Sequence, residues 1–412
     1  MDAGESYGAS GASHLRWLLP TRRLNHNADM KRPLASKLPH VGTTIFTVMS
    51  QMAAECGAIN LSQGFPDYDG PPALKEAVKQ HIDRGFNQYP PMAGILPLRE
   101  AVAEKVLTCY GAKVSPETEV TITPGATEAI YCAVTAVVRP GDEVIMFDPA
   151  YDCYEPAVTL AGGVPVRLPL LPPGYRIDWQ RVTDAITPRT RMIMVNSPHN
   201  PTGTVMEAED LRTLEALAER HDLVVCADEV YEHLIFDGRQ HESVLRYPAL
   251  AARSFAISSF GKTYHVTGWK TGYCVAPPAL TAELRRVHQF VTFVGITPIQ
   301  WGLAEFMRAH PEHLQTLPAF YQHKRDLFVA AIAGSRFRTL PSAGTYFQLA
   351  DYSAISDLPD REFVAWLTRS VGVAAIPVSV FYEQPPEARY VRFCFCKNDD
   401  TLRQAAAKLA VL

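Results

Sequence analysis

Apolar residues change their spacing repeatedly along the chain, and this change predicts helices that alternate with short strands. The segments PALKEAVKQHID and LREAVAEKVLTCYG have helical spacing, and the second ends at Gly111, as helices commonly do. Short apolar runs follow, namely EVTIT, DEVIMFD, RMIMVN, LVVCADE, SFAISSF and GYCVAP, most of them separated by loops or helical runs. This alternation is typical of an α/β fold, in which helices cover both faces of a mainly parallel sheet.

The last hundred residues have a different pattern. Strand-like YFQLADY, AAIPVSVF and YVRFCF are interleaved with helical DREFVAWLTRS and DDTLRQAAAKLAV, which predicts a smaller α+β domain. We therefore expect a large ligand-binding domain over residues 73–315 and a small C-terminal domain over 316–412. Residues 30–72 are expected to pack with the small domain. Residues 1–29 are expected to be a disordered tail, and a natural start at Met30 is the alternative.

Composition excludes several classes of protein. With 412 residues and 47% hydrophobic residues, the chain can bury about three quarters of its unfolded surface without a metal or disulfides. Its formal net charge of −4 argues against a nucleic-acid partner. No apolar run is long enough to span a membrane. The eight cysteines form no CxxC pair, so we expect reduced thiols, no metal site and a cytoplasmic location.

Residues with useful chemistry follow the predicted strands. In open α/β sheets, ligands bind beyond the carboxyl ends of the strands, so these residues are expected to converge. In chain order they are Gly125, Ala126, Thr127, Tyr151, Asn200, Asp228, Tyr231, Ser259, Lys262 and Lys270.

Together, these residues suit the binding of a phosphorylated ring that carries a cationic nitrogen. A helix that begins with small residues after Gly125 offers backbone N–H groups to a phosphate, and Ser259 and Lys270 add a hydroxyl and a charge. A buried Asp228 needs a cationic or donating partner, such as a pyridinium N–H. A desolvated Lys262 near another cation should have a lowered pKa, which favours attack on an aldehyde.

Each of these signals alone has an ordinary explanation. NPTG is a plausible turn in any protein, Asp228 could be a structural carboxylate, and most lysines such as Lys262 lie at the surface. Arg392 lies in an alternating strand and could pair with a local acid. The order of all these residues along one sheet edge is what favours a functional site.

The same segments resemble a known family. SSFGKTYHVTGWKTGY resembles the cofactor-lysine segment of the fold-type I, class I/II aminotransferases, and NSPHNPTG and CADEVYEHLIF resemble two further motifs of that family. The resemblance runs from about Leu34 to the C-terminus. LSQGFPDYDGP, NQYPP, DPAYDCYEP and YVRFCFCK resemble the branch that contains methionine and kynurenine/glutamine aminotransferases.

The resemblance implies pyridoxal 5′-phosphate (PLP) as cofactor, with Lys262 as its Schiff-base lysine and proton shuttle. Asp228 would partner the ring nitrogen, Tyr231 and Asn200 would contact the ring oxygen, and Tyr151 would stack on the ring. The residues implied to hold the phosphate are Gly125, Ala126, Thr127, Ser259 and Lys270.

The resemblance also implies how substrate and partner subunit are bound. Arg392, the backbone of Gly64 and the side chain of Asn200 would hold the substrate α-carboxylate. Tyr89 would reach the phosphate of a neighbouring subunit, which implies a homodimer. Lys270 stands where many members of the superfamily have arginine, and lysine binds phosphate as a point charge without a planar fork. In the methionine and kynurenine branch lysine is usual at this position.

The expected reaction is ping-pong transfer of an α-amino group from an apolar or aromatic L-amino acid, with methionine favoured, to a 2-oxo acid. No second arginine is placed to bind an acidic side chain. The side chains expected to line the substrate pocket are Ile45, Phe46, Tyr151, Tyr154, Phe381 and Tyr382.

Three other functions are alternatives. A kynurenine/glutamine transaminase with cysteine-conjugate β-lyase activity uses the same Lys262 chemistry, so the sequence separates it poorly. A PLP-binding regulator usually has a winged-helix domain ahead of this part, and only about thirty residues precede it here. A nicotinamide dehydrogenase would need a G-x-G-x-x-G turn after its first strand, which the sequence lacks.

Overall fold

The structure, a computed structural model, describes residues 35–412. The predicted tail, residues 1–29, and the beginning of the 30–72 segment lie outside the described residues. The strands are β1 Ile59–Asn60, β2 Val120–Thr123, β3 Glu143–Asp148, β4 Val164–Pro169, β5 Thr190–Asn196, β6 Val224–Asp228, β7 Ser254–Ser259, β8 Gly272–Val275, β9 Arg338–Thr339, β10 Phe347–Asp351, β11 Val373–Ala374, β12 Ile376–Pro377 and β13 Tyr390–Cys394.

Helices cover the sheets formed by these strands. Within residues 35–412, no helix is both long and apolar enough to cross a membrane. The helices are α1 Ile45–Cys56, α2 Pro72–Asp83, α3 Leu96–Tyr110, α4 Ala126–Val137, α5 Tyr154–Leu160, α6 Trp179–Ala185, α7 Ala208–Arg220, α8 Pro248–Ala251, α9 Phe260–Thr263, α10 Pro278–Val291, α11 Thr297–Ala309, α12 Glu312–Ile332, α13 Asp360–Trp366 and α14 Asp399–Leu409.

The central sheet has seven strands in the order β2-β8-β7-β6-β5-β3-β4. Strand β8 runs antiparallel to both of its neighbours, and the other pairs are parallel. The predicted α/β fold with a mainly parallel sheet is therefore confirmed. Because β3, β5, β6 and β7 run in the same direction, their carboxyl ends meet at one edge of the sheet.

Each face of the sheet is buried under a separate layer of helices. Along β3, Ile145 and Phe147 pack into a core with α2, α3, α7 and α11, whereas Val144 and Met146 pack into a core with α4, α5 and α10. Side chains alternate between the two faces of a strand, so burial on both faces explains the continuous apolar runs seen in the sequence.

The C-terminal part of the chain builds a separate antiparallel sheet in the order β12-β13-β10-β9. Its core includes residues of α12, α13 and α14 and also Met49 of α1. Strand β1 pairs with β11 in parallel, so the segment before residue 72 contacts this C-terminal part. The predicted boundary at residues 315/316 stays a prediction, and α12 runs across it.

The prediction of a single strand for AAIPVSVF is wrong. The segment contains the last residue of the short strand β11 and the whole of the two-residue strand β12, and Val378–Phe381 then form a 3-10 helix. Pro377 has no N–H to donate to a ladder. The carboxylate of Asp360 accepts both the backbone N–H and the hydroxyl of Ser379, each at 2.7 Å, and these bonds hold the turn.

Candidate active site

A cavity of about 330 Å³ opens at the carboxyl edge of the central sheet, between that edge and the C-terminal part. The loops that follow the parallel strands line it, as the strand-end rule predicts. The predicted site residues that line the cavity are Gly64, Gly125, Ala126, Thr127, Tyr151, Asn200, Asp228, Tyr231, Ser259, Lys262, Lys270 and Arg392.

Asp228, the last residue of β6, forms the acidic wall of the cavity. The hydroxyl of Tyr154 donates to its Oδ2 at 2.5 Å, and the backbone N–H of Val230 donates to Oδ1 at 3.3 Å. Burial raises the pKa of Asp228 to about 6, although the bond from Tyr154 lowers it. No lysine or arginine forms an ion pair with Asp228 among residues 35–412. Its carboxylate therefore suits a cationic N–H donor from a ligand.

Tyr154 does not line the substrate pocket, and that prediction is wrong. The tyrosine is buried at the start of α5, and its hydroxyl is committed to Asp228. No local sequence pattern points to this bond, because the partners lie on different elements 74 residues apart.

Lys262 lies on the short helix α9, directly after β7, and its amine reaches the cavity. Nζ donates to the hydroxyl of Tyr346 at 2.8 Å. Burial lowers the pKa of Lys262 to about 8, and the charge of Lys270 also lowers it. A substantial fraction of the amine is therefore neutral, and nucleophilic, slightly above neutral pH.

A turn between β2 and α4 forms another wall of the cavity. Gly125 has φ +88°, a conformation that favours glycine, and α4 begins at the next residue. The Lys270 amine lies 3.4 Å from the point where a Cβ on Gly125 would be. Ser259, at the end of β7, completes this wall. A helix N-terminus, a hydroxyl and an ammonium group together suit a phosphate.

Gly272, which the sequence did not single out, supports this turn from behind. A Cβ at Gly272 would lie 2.7 Å from the carbonyl oxygen of Ser258 and 2.9 Å from the backbone nitrogen of Ala126. Glycine at this position therefore allows β8 to approach the start of α4 closely.

Arg392 lines the cavity, and its side chain is fully buried. It donates to Asn200 Oδ1 and to the carbonyl oxygen of Ser62, both at 2.8 Å, and its guanidinium lies 3.8 Å from the centre of the Phe347 ring. Its Nε–H has no acceptor. Within residues 35–412 no carboxylate pairs with this buried cation, so an anionic ligand group is a favourable partner for it.

Two asparagines line the cavity where β5 and β6 end. Asn196 donates to the carbonyl oxygen of Asp228 and accepts from the backbone N–H of Asn200, both at 2.8 Å. Because Asn200 Oδ1 accepts from Arg392, its Nδ2 remains a donor for a ligand oxygen. Sequence reasoning named Asn200 and missed Asn196, which closes the strand RMIMVN.

The remaining predicted residues are placed differently. Tyr151 and Phe46 line the cavity, and Tyr231 lies in its wall with its ring against Tyr346, centroids 5.1 Å apart. Tyr382 is buried behind the cavity, where its hydroxyl donates to a backbone carbonyl. Tyr89 is 85% exposed and does not line the cavity of this chain.

Among residues 35–412, one cluster of potential metal ligands lies between α4 and α10. Glu128, Cys132 and His288 offer ligand atoms within 4.8 Å of one another. His288 Nδ1 is 2.7 Å from Glu128 Oε1, and its Nε2 is 3.2 Å from the carbonyl oxygen of Met92. The first of these contacts joins α4 to α10, and the second joins α10 to the loop before α3, so we assign the cluster a structural role.

The cavity as a whole fits PLP. Asp228 offers an anion for the ring nitrogen, the turn at Gly125 with Lys270 offers a phosphate cup, and Lys262 offers an amine in the same cavity. The orphaned N–H of Arg392 adds a place for a carboxylate.

Residues 57–409 match the family described as aminotransferase class I and II. The chain belongs to this family, and the prediction of an aminotransferase is confirmed.

The chain is similar to methionine aminotransferase of Escherichia coli (strain K12), with 52% identity over 92% of this chain and 98% of the relative. A crystal structure of an Escherichia coli protein with a methionine aminotransferase function is 51% identical, with a TM-score of 0.91 over 92% of this chain and 100% of that one. The structure of N-succinyldiaminopimelate aminotransferase from Mycobacterium tuberculosis is 42% identical, with a TM-score of 0.89 over 92% of this chain and 100% of that one. Kynurenine–oxoglutarate transaminase 1 of Homo sapiens is 33% identical over 92% of this chain and 98% of its own.

Proposed function

We propose that this aminotransferase binds PLP and transfers the α-amino group of an apolar or aromatic L-amino acid, methionine first, to a 2-oxo acid. The observation that carries the proposal is that Asp228, Lys262 and Arg392 face one cavity. They supply an anion for a cationic ring, an amine, and a buried cation for a substrate carboxylate.

When bound, PLP supplies an aldehyde that condenses with amines and an electron-poor ring that takes up the electrons of the broken Cα–H bond. Asp228 keeps the ring nitrogen protonated. Arg392 and the amide nitrogen of Asn200 hold the substrate and orient its Cα–H bond toward Lys262. Once free, the amine of Lys262 would accept the proton from the substrate Cα and hold it for the later return that completes amino transfer.

The substrate preference is argued from the charges that line the cavity. Its lysine and arginine residues are Lys262, Lys270 and Arg392, and the proposal gives each of them a role in binding cofactor or α-carboxylate. An acidic side chain would then enter the cavity without a cation of its own, which costs free energy. Phe46 and Ile130 offer apolar surface instead. The 52% identity to methionine aminotransferase supports methionine among apolar donors.

A panel of amino donors against one 2-oxo acid tests the proposal. Methionine, phenylalanine, kynurenine and aspartate should be compared by kcat/KM, with the Lys262→Ala variant as the inactive control. We expect methionine to be used best and aspartate to be at least about tenfold poorer. A preference for aspartate would overturn the substrate assignment, and an active Lys262→Ala variant would overturn the role of the lysine.

We also propose a homodimer, in which Tyr89 reaches the phosphate of the neighbouring subunit, and a cytoplasmic location. Tyr89, Phe290, Phe293 and Ile296 are large apolar residues with substantial exposure, and Tyr89 packs edge-on against Phe293. A cluster of exposed apolar side chains favours contact with another protein surface.

A further inference from the structure

Tyr346 connects the amine of Lys262 to the backbone at Gly64. Lys262 Nζ donates to the Tyr346 hydroxyl at 2.8 Å, and this hydroxyl donates to the carbonyl oxygen of Gly64 at 2.7 Å. The side chain of Tyr346 is fully buried. Neither the sequence motifs nor the strand-end rule pointed to this residue.

The direction of these hydrogen bonds is fixed. A carbonyl oxygen only accepts, so the single hydrogen of the Tyr346 hydroxyl is used at Gly64. The Tyr346 oxygen can therefore only accept from Lys262. A neutral amine has two N–H groups and one lone pair, and when an N–H bonds to Tyr346 the lone pair stays free.

We propose that Tyr346 is a positioning residue, which holds Lys262 as a hydrogen-bond donor so that its lone pair is left for the substrate α-proton. The inference deepens the proposed aminotransferase reaction and rests on it. Tyr346 itself exchanges no proton, because its hydroxyl hydrogen stays with Gly64.

The backbone around Tyr346 is built to hold this side chain in place. Thr345 has φ +68°, which is rare for a β-branched residue, and its N–H donates to the carbonyl of Leu234 at 2.9 Å. The carbonyl of Tyr346 accepts from the N–H of Phe395 at 2.9 Å. Backbone contacts with Leu234, which follows β6, and with Phe395, which follows β13, therefore hold the backbone that carries the Tyr346 hydroxyl.

Gly64 is fitted to the same ring. A Cβ at Gly64 would lie 2.9 Å from the Tyr346 ring and 2.8 Å from the Phe347 ring. Two residues earlier, the carbonyl of Ser62 accepts from Arg392. The segment Ser62–Gly64 thus contacts Arg392 directly and Lys262 through Tyr346. It therefore helps to position both groups that the proposed reaction uses on the substrate.

Tyr346→Phe tests the inference, since it removes the hydroxyl and keeps the ring that packs on Gly64. The matched control is Tyr321→Phe. Tyr321 is also fully buried, its ring centroid is 5.9 Å from that of Tyr346, and its hydroxyl bonds to Tyr68 and His265 and not to Lys262.

The first readout uses the apoenzyme and needs no turnover. The rate at which an acylating reagent modifies Lys262, followed by peptide mass spectrometry across pH, reports the pKa of its amine. The Tyr346 oxygen stabilises the ammonium form, so its loss should lower this pKa below the wild-type value, which burial places at about 8. Asp228, Lys270, Cys394 and Cys396 also act on Lys262, and they are unchanged in both variants.

The second readout is steady-state kinetics with methionine and α-deuterated methionine. Tyr346→Phe should lower kcat about tenfold or more, leave KM within about twofold, and increase the isotope effect, because proton removal becomes slower. Tyr321→Phe should change none of these values.

An unchanged pKa of Lys262 together with an unchanged kcat in Tyr346→Phe would overturn the inference, as would an equal effect of Tyr321→Phe. If the wild-type enzyme bound no PLP or transferred no amino group, the proposed function would fail instead. The modification experiment on the apoenzyme would still report on the Tyr346 contact.

Discussion

Two buried ionisable residues, Asp228 and Lys262, have pKa values shifted toward neutral pH by the same cause. Burial raises the pKa of Asp228 to about 6 and lowers that of Lys262 to about 8, because a low-dielectric surrounding disfavours either charge. Tyr154 counteracts this effect at Asp228 by donating to the carboxylate. The aromatic hydroxyls around the cavity thus set the protonation of the groups that the reaction uses.

The Tyr154 bond leads to a prediction about pH. Tyr154→Phe removes a donor to the ionised carboxylate, so the pKa of Asp228 should rise further above its ordinary value. In the proposed function the ionised form of Asp228 binds the ring nitrogen, so PLP should be lost as pH falls through this pKa, and the loss should begin at higher pH in the variant. At pH 7 we expect PLP affinity to be about tenfold weaker, as measured by fluorescence titration of the apoenzyme.

The control for this prediction is Tyr352→Phe. Tyr352 is buried in the C-terminal part, and its hydroxyl donates to the carbonyl of Leu358 at 2.8 Å. Its substitution should leave PLP affinity and the pH profile unchanged. Wild-type affinity in Tyr154→Phe down to pH 6 would show that Asp228 does not depend on this donor.

At the scale of the elements, the strands whose positions follow from a local run of apolar residues were predicted best. The runs EVTIT, DEVIMFD, RMIMVN, LVVCADE, SFAISSF and GYCVAP match β2, β3, β5, β6, β7 and β8 within about two residues. The edge strand β4 was not predicted, because its sequence VPVRLP contains two prolines, and proline cannot donate to a strand ladder. Strand order and the antiparallel direction of β8 follow from long-range pairing, which a single sequence does not encode locally.

The site was predictable where a residue directly follows a strand. Asp228, Lys262 and Gly125 could be named in this way, and the structure brings them together. Tyr346 and Tyr154 could not be named, because their partners lie far away in sequence, 84 residues in one case and 74 in the other. Contacts of this kind depend on how the helices and both sheets pack.

Gly272 provides a prediction at the scale of the elements. Gly272→Ala should push β8 away from the first residue of α4, since the added Cβ would lie under 3.0 Å from two backbone atoms. The phosphate cup would open, and PLP affinity should fall about tenfold. Gly334→Ala is the matched control, because a Cβ there has nothing within 4 Å.

Both glycine variants should be measured by PLP titration and by thermal unfolding of the apoenzyme. Gly334→Ala should match the wild type in both measurements. If Gly272→Ala bound PLP with wild-type affinity, the close approach of β8 would have no bearing on the phosphate.

At the scale of the whole molecule, the described chain contains a nearly complete site. Every residue that the family resemblance implies for binding the cofactor or the substrate α-carboxylate lines the cavity except Tyr89, which is 85% exposed outside it. The neighbouring side chain Phe290 is also 85% exposed, and the hydroxyl of Thr297 donates to the carbonyl of Gln88 at 2.7 Å, which fixes the two segments together. This surface is suited to carry Tyr89 into the cavity of a second copy.

Mixed dimers of two inactive or impaired variants test this arrangement. Such a dimer joins a Lys262→Ala chain to a Tyr89→Ala chain and is purified through a different tag on each chain. If Tyr89 reaches across the interface, one of its two sites has Lys262 from the second chain and Tyr89 from the first, both intact. If Tyr89 acts across the interface, this dimer should have roughly half of the wild-type activity, because one of its two equivalent sites is restored. If Tyr89 acts within its own chain, neither site has both residues, and the mixed dimer should not exceed half of the activity of the Tyr89→Ala homodimer. The two outcomes differ most when the Tyr89→Ala homodimer itself retains little activity, so its rate at saturating PLP is measured first.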